Sequence, residues 1–228
     1  MAQKLEQALF ALFLATLFWA PLPFGSNRIW AGGLLAALVL GNLAAWLALY
    51  LGGNARLNAG LWPKARLPLA LLLLVQAWVW LQAQYLPREV VEFLSPTAYA
   101  WHLKEGWLPL SLDREQTRYY LLLGCSYSAA FFLTLALVNS HRRLTLFLQV
   151  LVFSGTCQAA YGAFMVLSGL EYGFFIEKYV GQGVATGTFI NRNHLAGYLN
   201  IALAAGTGLL LSQLATDSAH GWKERARR

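Results

Sequence analysis

The sequence predicts an all-α fold: a polytopic transmembrane helical bundle of about six helices. Three observations carry that prediction. Of 228 residues, 58% are hydrophobic and only 12% charged. The mean hydropathy is positive, +0.49. The charges gather in short segments between long apolar runs. Soluble domains carry about 25% charged residues, so an ordinary water-soluble globule and a disordered chain are both excluded. The net charge of +7 does not point to nucleic acid, which would need basic residues clustered with aromatics on a polar surface. Cys125 and Cys157 lie inside apolar runs, a placement that predicts neither a disulfide framework nor a metal site. No cofactor is expected.

A span requires about 20 mainly apolar residues, since each adds ~1.5 Å across a hydrocarbon core of ~30 Å. Six stretches qualify, at 8–24, 29–52, 67–86, 119–139, 144–170 and 194–214, none with an ionised side chain in its interior. In lipid they must be helices, because open strands leave backbone groups unsatisfied. The first ends at Pro21 and Pro23 and lacks a small-x-small cleavage site. It reads as a retained helix turning through Gly25, Ser26 and Asn27 into the second, rather than as a signal peptide.

Basic residues assign the sides. With both termini inside, the inner side holds Lys4, Arg56, Lys64, Arg66, Arg142, Arg143, Lys223, Arg225, Arg227 and Arg228. Against these ten stand three acids, Glu6, Asp217 and Glu224, an excess of seven. The outer side holds Arg28, Arg88, Lys104, Arg114, Arg118, Lys178 and Arg192, balanced by seven acids. The whole excess is therefore internal.

Two outer segments exceed a simple turn. The segment 87–118 mixes Phe93, Tyr99, Trp101, His102, Lys104, Glu105 and Trp107. It reads first as an interfacial amphipathic segment with an aromatic belt, and second as part of a substrate-facing surface. Within the spans, Gly33, Ala37, Gly41 and Ala45 recur every four residues, a face that can approach a neighbouring helix closely. Asn42, Gln76, Gln149, Gln158 and Asn200 are polar residues at depth, for which interhelical hydrogen bonding is the default expectation. The spans contain no Asp, Glu, Lys or Arg for an ion or proton relay, which argues against a coupled transporter and moves any chemistry to the outer face.

The second outer segment, 171–193, holds that chemistry. Its glycines, Gly181, Gly183 and Gly187, match neither the dinucleotide fingerprint nor a phosphate-binding P-loop. Asn191 or Asn193 suits the N-cap of the sixth helix. That helix end presents its positive dipole and free N–H groups, a ready place for an anion. Arg192 adds a permanent charge able to grip two phosphate oxygens, and His194 can donate a hydrogen bond or titrate near neutral pH. Without further context, Arg192 also reads as a headgroup anchor, the asparagines as caps and His194 as structural.

The run Gly187-Thr-Phe-Ile-Asn-Arg-Asn-His-Leu-Ala-Gly-Tyr-Leu199 resembles the start of the conserved domain of the O-antigen ligase and polymerase family. Those polytopic bacterial inner-membrane enzymes act on undecaprenyl-diphosphate-linked glycans at the periplasmic face. The resemblance implies a metal-independent glycosyl transfer, in which an acceptor hydroxyl attacks the anomeric carbon and the diphosphate leaves. On the matching positions it makes Arg192 the diphosphate ligand, with Asn191 and Asn193 orienting it and His194 a weaker candidate. It also divides the chain into an N-terminal membrane region, 1–186, and the start of the ligase-like domain, 187–228. Family members carry about twice as many helices, so the resemblance further implies either an incomplete chain or a partner half encoded elsewhere. The expected partners are the lipid bilayer, the lipid-linked glycan and an acceptor. A non-enzymatic membrane subunit and a flippase or exporter of lipid-linked sugars are the competing expectations.

Overall fold

In the computed structural model, residues 2–57, 60–102, 106–179 and 181–225 are described, and side chains in the last helix as far as Leu214. Of the charged residues weighed above, Lys104, Glu105, Arg227 and Arg228 lie outside the described residues. Five helices are long and apolar enough to cross a membrane: α2 (Ile29–Leu51), α3 (Trp62–Gln82), α6 (Arg114–Leu137), α7 (His141–Ser168), and the stretch Arg192–Leu214 of α8 (Arg192–Arg225). The chain is an integral multi-pass membrane protein of the all-α class. It forms two compact units, one of Met1–Leu35 with Leu137–Arg228 and one of Ala36–Ala136.

The first expected span is the exception. Helix α1 covers Ala2–Trp19, and its first two turns carry Gln3, Lys4, Glu6 and Gln7. Its apolar part, 8–19, reaches about 18 Å at ~1.5 Å per residue, short of the ~30 Å core. Residues 21–24, counted as helix in the expected span, instead form a turn, because Pro21 and Pro23 cannot continue the hydrogen-bond ladder. Yet α1 is tied to α7 at both ends. Near its start, Arg143 Nη1 donates to Glu6 Oε1 at 2.7 Å and the guanidinium lies 5.1 Å from the Phe10 ring centroid. Near its end, Phe18 stacks on Phe153, which lies midway along α7. Beyond its end, the Pro21 carbonyl accepts from Thr188 Oγ1 at 2.6 Å, and that hydroxyl in turn meets Gln158 of α7. So α1 runs alongside α7 in the same direction, and the Glu6–Arg143 pair marks one end of both helices.

Helix α7 starts on Ser140, whose hydroxyl accepts from the Arg143 N–H, and stops at Gly169 in the left-handed region (φ +70°). It packs antiparallel to α8. Gly155 lies directly against Ala202, Gly206 lies against Val152, and Tyr198 Oη donates to Ser154 Oγ at 2.8 Å. Small residues allow this approach, and in lipid such packing and hydrogen bonds hold helices together.

In the second unit, Trp46 is fully buried, stacked on Tyr50 and edge-on to Phe132. The buried face of α2 is Ala36, Val39, Asn42 and Trp46, not the Gly33-Ala37-Gly41-Ala45 face expected above. Nothing among the described residues lies within 4 Å of where a Cβ would sit on Gly33 or Gly41. Trp46 decides this, because in lipid the gain comes from packing contacts, and one buried indole makes more of them than four small residues do. A glycine of this unit that does lie against another helix is Gly124, facing the amide of Gln76.

The segment 87–118 is folded rather than extended. Helices α4 (Arg88–Leu94) and α5 (Pro96–Trp101) are closed off by an antiparallel pair, β1 (Tyr85–Leu86) with β2 (Leu108–Pro109). Val91, Leu108 and Leu110 form a small core, with Leu86 and Tyr99 packed on it. Arg114 donates from Nε to the Ala83 carbonyl and sits 4.3 Å over the Tyr85 ring. Phe93 and Trp101 stay 83% and 71% exposed. That is the pattern of an aromatic interfacial belt.

Candidate functional site

The site lies in the unit built from both chain ends, where the turn after α1 and the segment 171–191 meet the ends of α7 and α8. After Gly169, the chain forms a hairpin of β3 (Tyr172–Gly173) and β4 (Ile176–Glu177). Its tip residues, Phe174 and Phe175, both have positive φ (41° and 67°), a conformation that costs roughly 1–2 kcal/mol for each side chain with a Cβ. Phe174 repays part of this by packing its ring on Phe24 and Trp30. Tyr161 Oη of α7 donates to the Tyr172 carbonyl at 2.6 Å and holds the hairpin down.

An ion pair organises the next stretch. Lys178 Nζ donates to Glu171 Oε2 at 2.9 Å and to the Val184 carbonyl at 2.7 Å, and Glu171 Oε1 accepts from the Gly183 N–H. Both charged side chains are only 11% exposed. The Lys178 bond, then the Gly183 N–H, hold the Glu171 carboxyl below its ordinary value of 4.5. A depressed carboxyl stabilises the fold above its unfolded value, and that contribution disappears as pH falls through the folded one. The Gly183 amide should therefore stay protected from hydrogen exchange from neutral pH down to the ordinary carboxylate range and lose protection below it. Glu171→Gln should show the acid behaviour already at neutral pH. Protection of this amide, corrected for its intrinsic rate, that does not respond to acid would overturn this account.

Beyond the ion pair, Thr188 is the anchor. Gln158, only 2% exposed, accepts from the Thr188 N–H at 3.0 Å through Oε1 and donates from Nε2 to Thr188 Oγ1 at 2.9 Å. The default partner of an intramembrane glutamine was another helix; here it is the loop. Phe189 then lies across Gly25 (φ +63°), so close that a Cβ there would overlap its ring, and tilts against Tyr198 of α8.

The four residues singled out in sequence follow at once. Asn191 is the N-cap: its Oδ1 accepts from the Asn193 N–H at 2.8 Å, and its carbonyl accepts from His194 and Leu195. Asn193 is inside the first turn, which settles the choice between the two asparagines. The expectation of several free N–H groups is corrected in part, because Asn191 itself takes two of the four that a helix start leaves open, those of Asn193 and His194. What remains for an anion is the helix dipole and the Arg192 guanidinium, which is exposed and makes no hydrogen bond or ion pair among the described residues. His194 is exposed beside it. No group of three or more His, Cys, Asp or Glu comes together among the described residues.

Next to this segment lies a cavity of about 260 Å³ that sequence reasoning did not anticipate. Phe24, Arg28, Glu177, Lys178, Thr186, Phe189 and Ile190 are among its walls. Arg28 and Glu177 were visible in sequence only as outer charges, since nothing in their spacing brings them together. Compared with models of known families, with curated proteins and with solved structures, the chain finds no match.

Proposed function

We propose that this membrane protein takes part in transfer of a lipid-diphosphate-linked glycan at the outer, periplasmic face of a bacterial inner membrane, as the N-terminal part of an O-antigen ligase or polymerase. The motif resemblance over 187–199 suggests the family. The observation that carries the reading is Arg192: a permanently charged fork, exposed and unpartnered among the described residues, at the dipole-positive start of a long helix. Such a group matches the bidentate geometry of a phosphate and costs nothing to free from another partner.

In the proposed reaction the acceptor oxygen forms a bond to the anomeric carbon, the bond from that carbon to the diphosphate oxygen breaks, and the acceptor proton passes to a base. Arg192 binds the diphosphate and offsets the charge that grows on it as it leaves. Asn191 fixes the start of α8 and hence the position of Arg192, and Asn193 and His194 stand beside it.

The test is glycan transfer by the full-length protein carrying Arg192→Ala or Arg192→Lys. Transfer is expected to fall at least about a hundredfold in the alanine variant, the usual scale for removing one charge-stabilising group, at an unchanged level in the membrane. Lysine, a point charge without the fork, should restore only part. Undiminished transfer in the alanine variant would overturn the reading and favour a non-enzymatic subunit.

A further inference from the structure

We propose that the cavity beside Phe24 and Phe189 is a binding site for the zwitterionic headgroup of an aminophospholipid, one that carries a phosphodiester and a primary ammonium. The proposal is independent of the glycan-transfer reading, because Arg192 is not part of the cavity wall.

The charge inventory of the cavity carries the inference. Lys178 is already neutralised by Glu171 at 2.9 Å. Two charges are left over. Arg28 lies with its guanidinium carbon 5.4 Å from the Phe24 ring centroid, a contact that takes up none of its N–H donors in a hydrogen bond among the described residues. Glu177, from the last position of the hairpin, also borders the cavity. Neither forms an ion pair among the described residues, nor do they pair with each other. The cavity thus offers one unpaired cation and one unpaired anion, separated by mainly apolar wall. A simple anion would satisfy Arg28 and face Glu177 unfavourably; a simple cation would do the reverse. A phosphate joined to an ammonium by a short apolar link satisfies both, through charge-assisted hydrogen bonds.

Size agrees. At about 260 Å³ the cavity falls just below the usual range of ligand pockets, roughly 300–1,000 Å³, and holds a headgroup rather than a whole lipid. The acyl chains have a path outside it, over the exposed apolar side chains of Leu167, Leu170 and Ile176 at the same end of α7.

The experiment uses the full chain, purified in detergent, delipidated and offered phosphatidylethanolamine, phosphatidylglycerol or phosphatidylcholine, with bound lipid counted by native mass spectrometry. Phosphatidylethanolamine should be retained about tenfold better than either alternative, since phosphatidylglycerol brings Glu177 only neutral hydroxyls and no cation, and a quaternary ammonium has no N–H to donate. Glu177→Gln should remove the preference over phosphatidylglycerol, and Arg28→Ala should weaken both. Ile190→Trp, which fills the cavity without touching either charge, should abolish retention. Equal retention of the three lipids by the unaltered chain would overturn the proposal. So would a preference that survives Glu177→Gln, or retention that survives Ile190→Trp.

Discussion

Replacing Gly187 by alanine is expected to destabilise the packing of the 181–191 segment by about 2–5 kcal/mol, the sum of a left-handed backbone penalty and steric overlap. Gly187 has φ +56°, and a Cβ there would sit 2.6 Å from Gln158 Oε1 and 3.2 Å from the Gln158 carbonyl oxygen. Neither oxygen can retreat. The carbonyl belongs to the α7 backbone, and Oε1 is held by the Thr188 N–H. The change should show as loss of amide protection at 186–190 and as a lower unfolding midpoint in detergent. The contrast is Gly183→Ala. That residue shares a positive φ of 77° but has open space around its missing Cβ. It should cost only the backbone penalty, roughly 1–2 kcal/mol. Equal effects of the two substitutions would mean that contact with Gln158 does not matter.

Gln158→Leu comes second, at roughly 2–4 kcal/mol, because it leaves the buried Thr188 N–H without an acceptor and removes a donor from Thr188 Oγ1. The substitution keeps the side chain's approximate volume, so little of the loss comes from a cavity. The consequence should spread beyond α7. Thr188 also links to the Pro21 carbonyl, so the turn after α1 loses its tie to the loop. Protection should therefore fall together at 186–190 and at 22–26, and Thr188→Val should reproduce that pattern. Because the loop leads directly into Asn191 and Arg192, Gln158→Leu should, under the proposed function, also depress glycan transfer while leaving the level in the membrane closer to normal. A loss confined to α7 would separate Gln158 from the site.

Much of this architecture is legible from residue types alone. Hydrocarbon admits only backbone that bonds within its own segment, so apolar length translates almost directly into helices. The five helices Ile29–Leu51, Trp62–Gln82, Arg114–Leu137, His141–Ser168 and Arg192–Leu214 overlap the stretches read from the chain. The remaining stretch, 8–24, is a shorter helix than hydropathy suggests, because residues 21–24 hold two prolines and α1 ends at Trp19. Capping is legible too, since Asn191 acts through its own neighbours.

Partners distant in sequence were not legible. Gln158 stands out in a sequence as a polar residue in lipid, but its partner Thr188 lies thirty positions away in a loop. Gly33 and Gly41 advertised close packing that went instead to Gly155 and Gly124. Small residues permit an approach without compelling one, and large side chains such as Trp46 choose which face is buried. By itself, then, the sequence determined the class of the protein, the position of its main helices and the motif around Arg192, because each depends on local composition and neighbours within a few residues. Tertiary structure alone decided that Lys178 is silenced by Glu171 while Arg28 and Glu177 stay unpaired around one cavity. Charge state is written in the chain, but which charges share a cavity depends on how Arg28 and Glu177, 149 positions apart, are folded against each other.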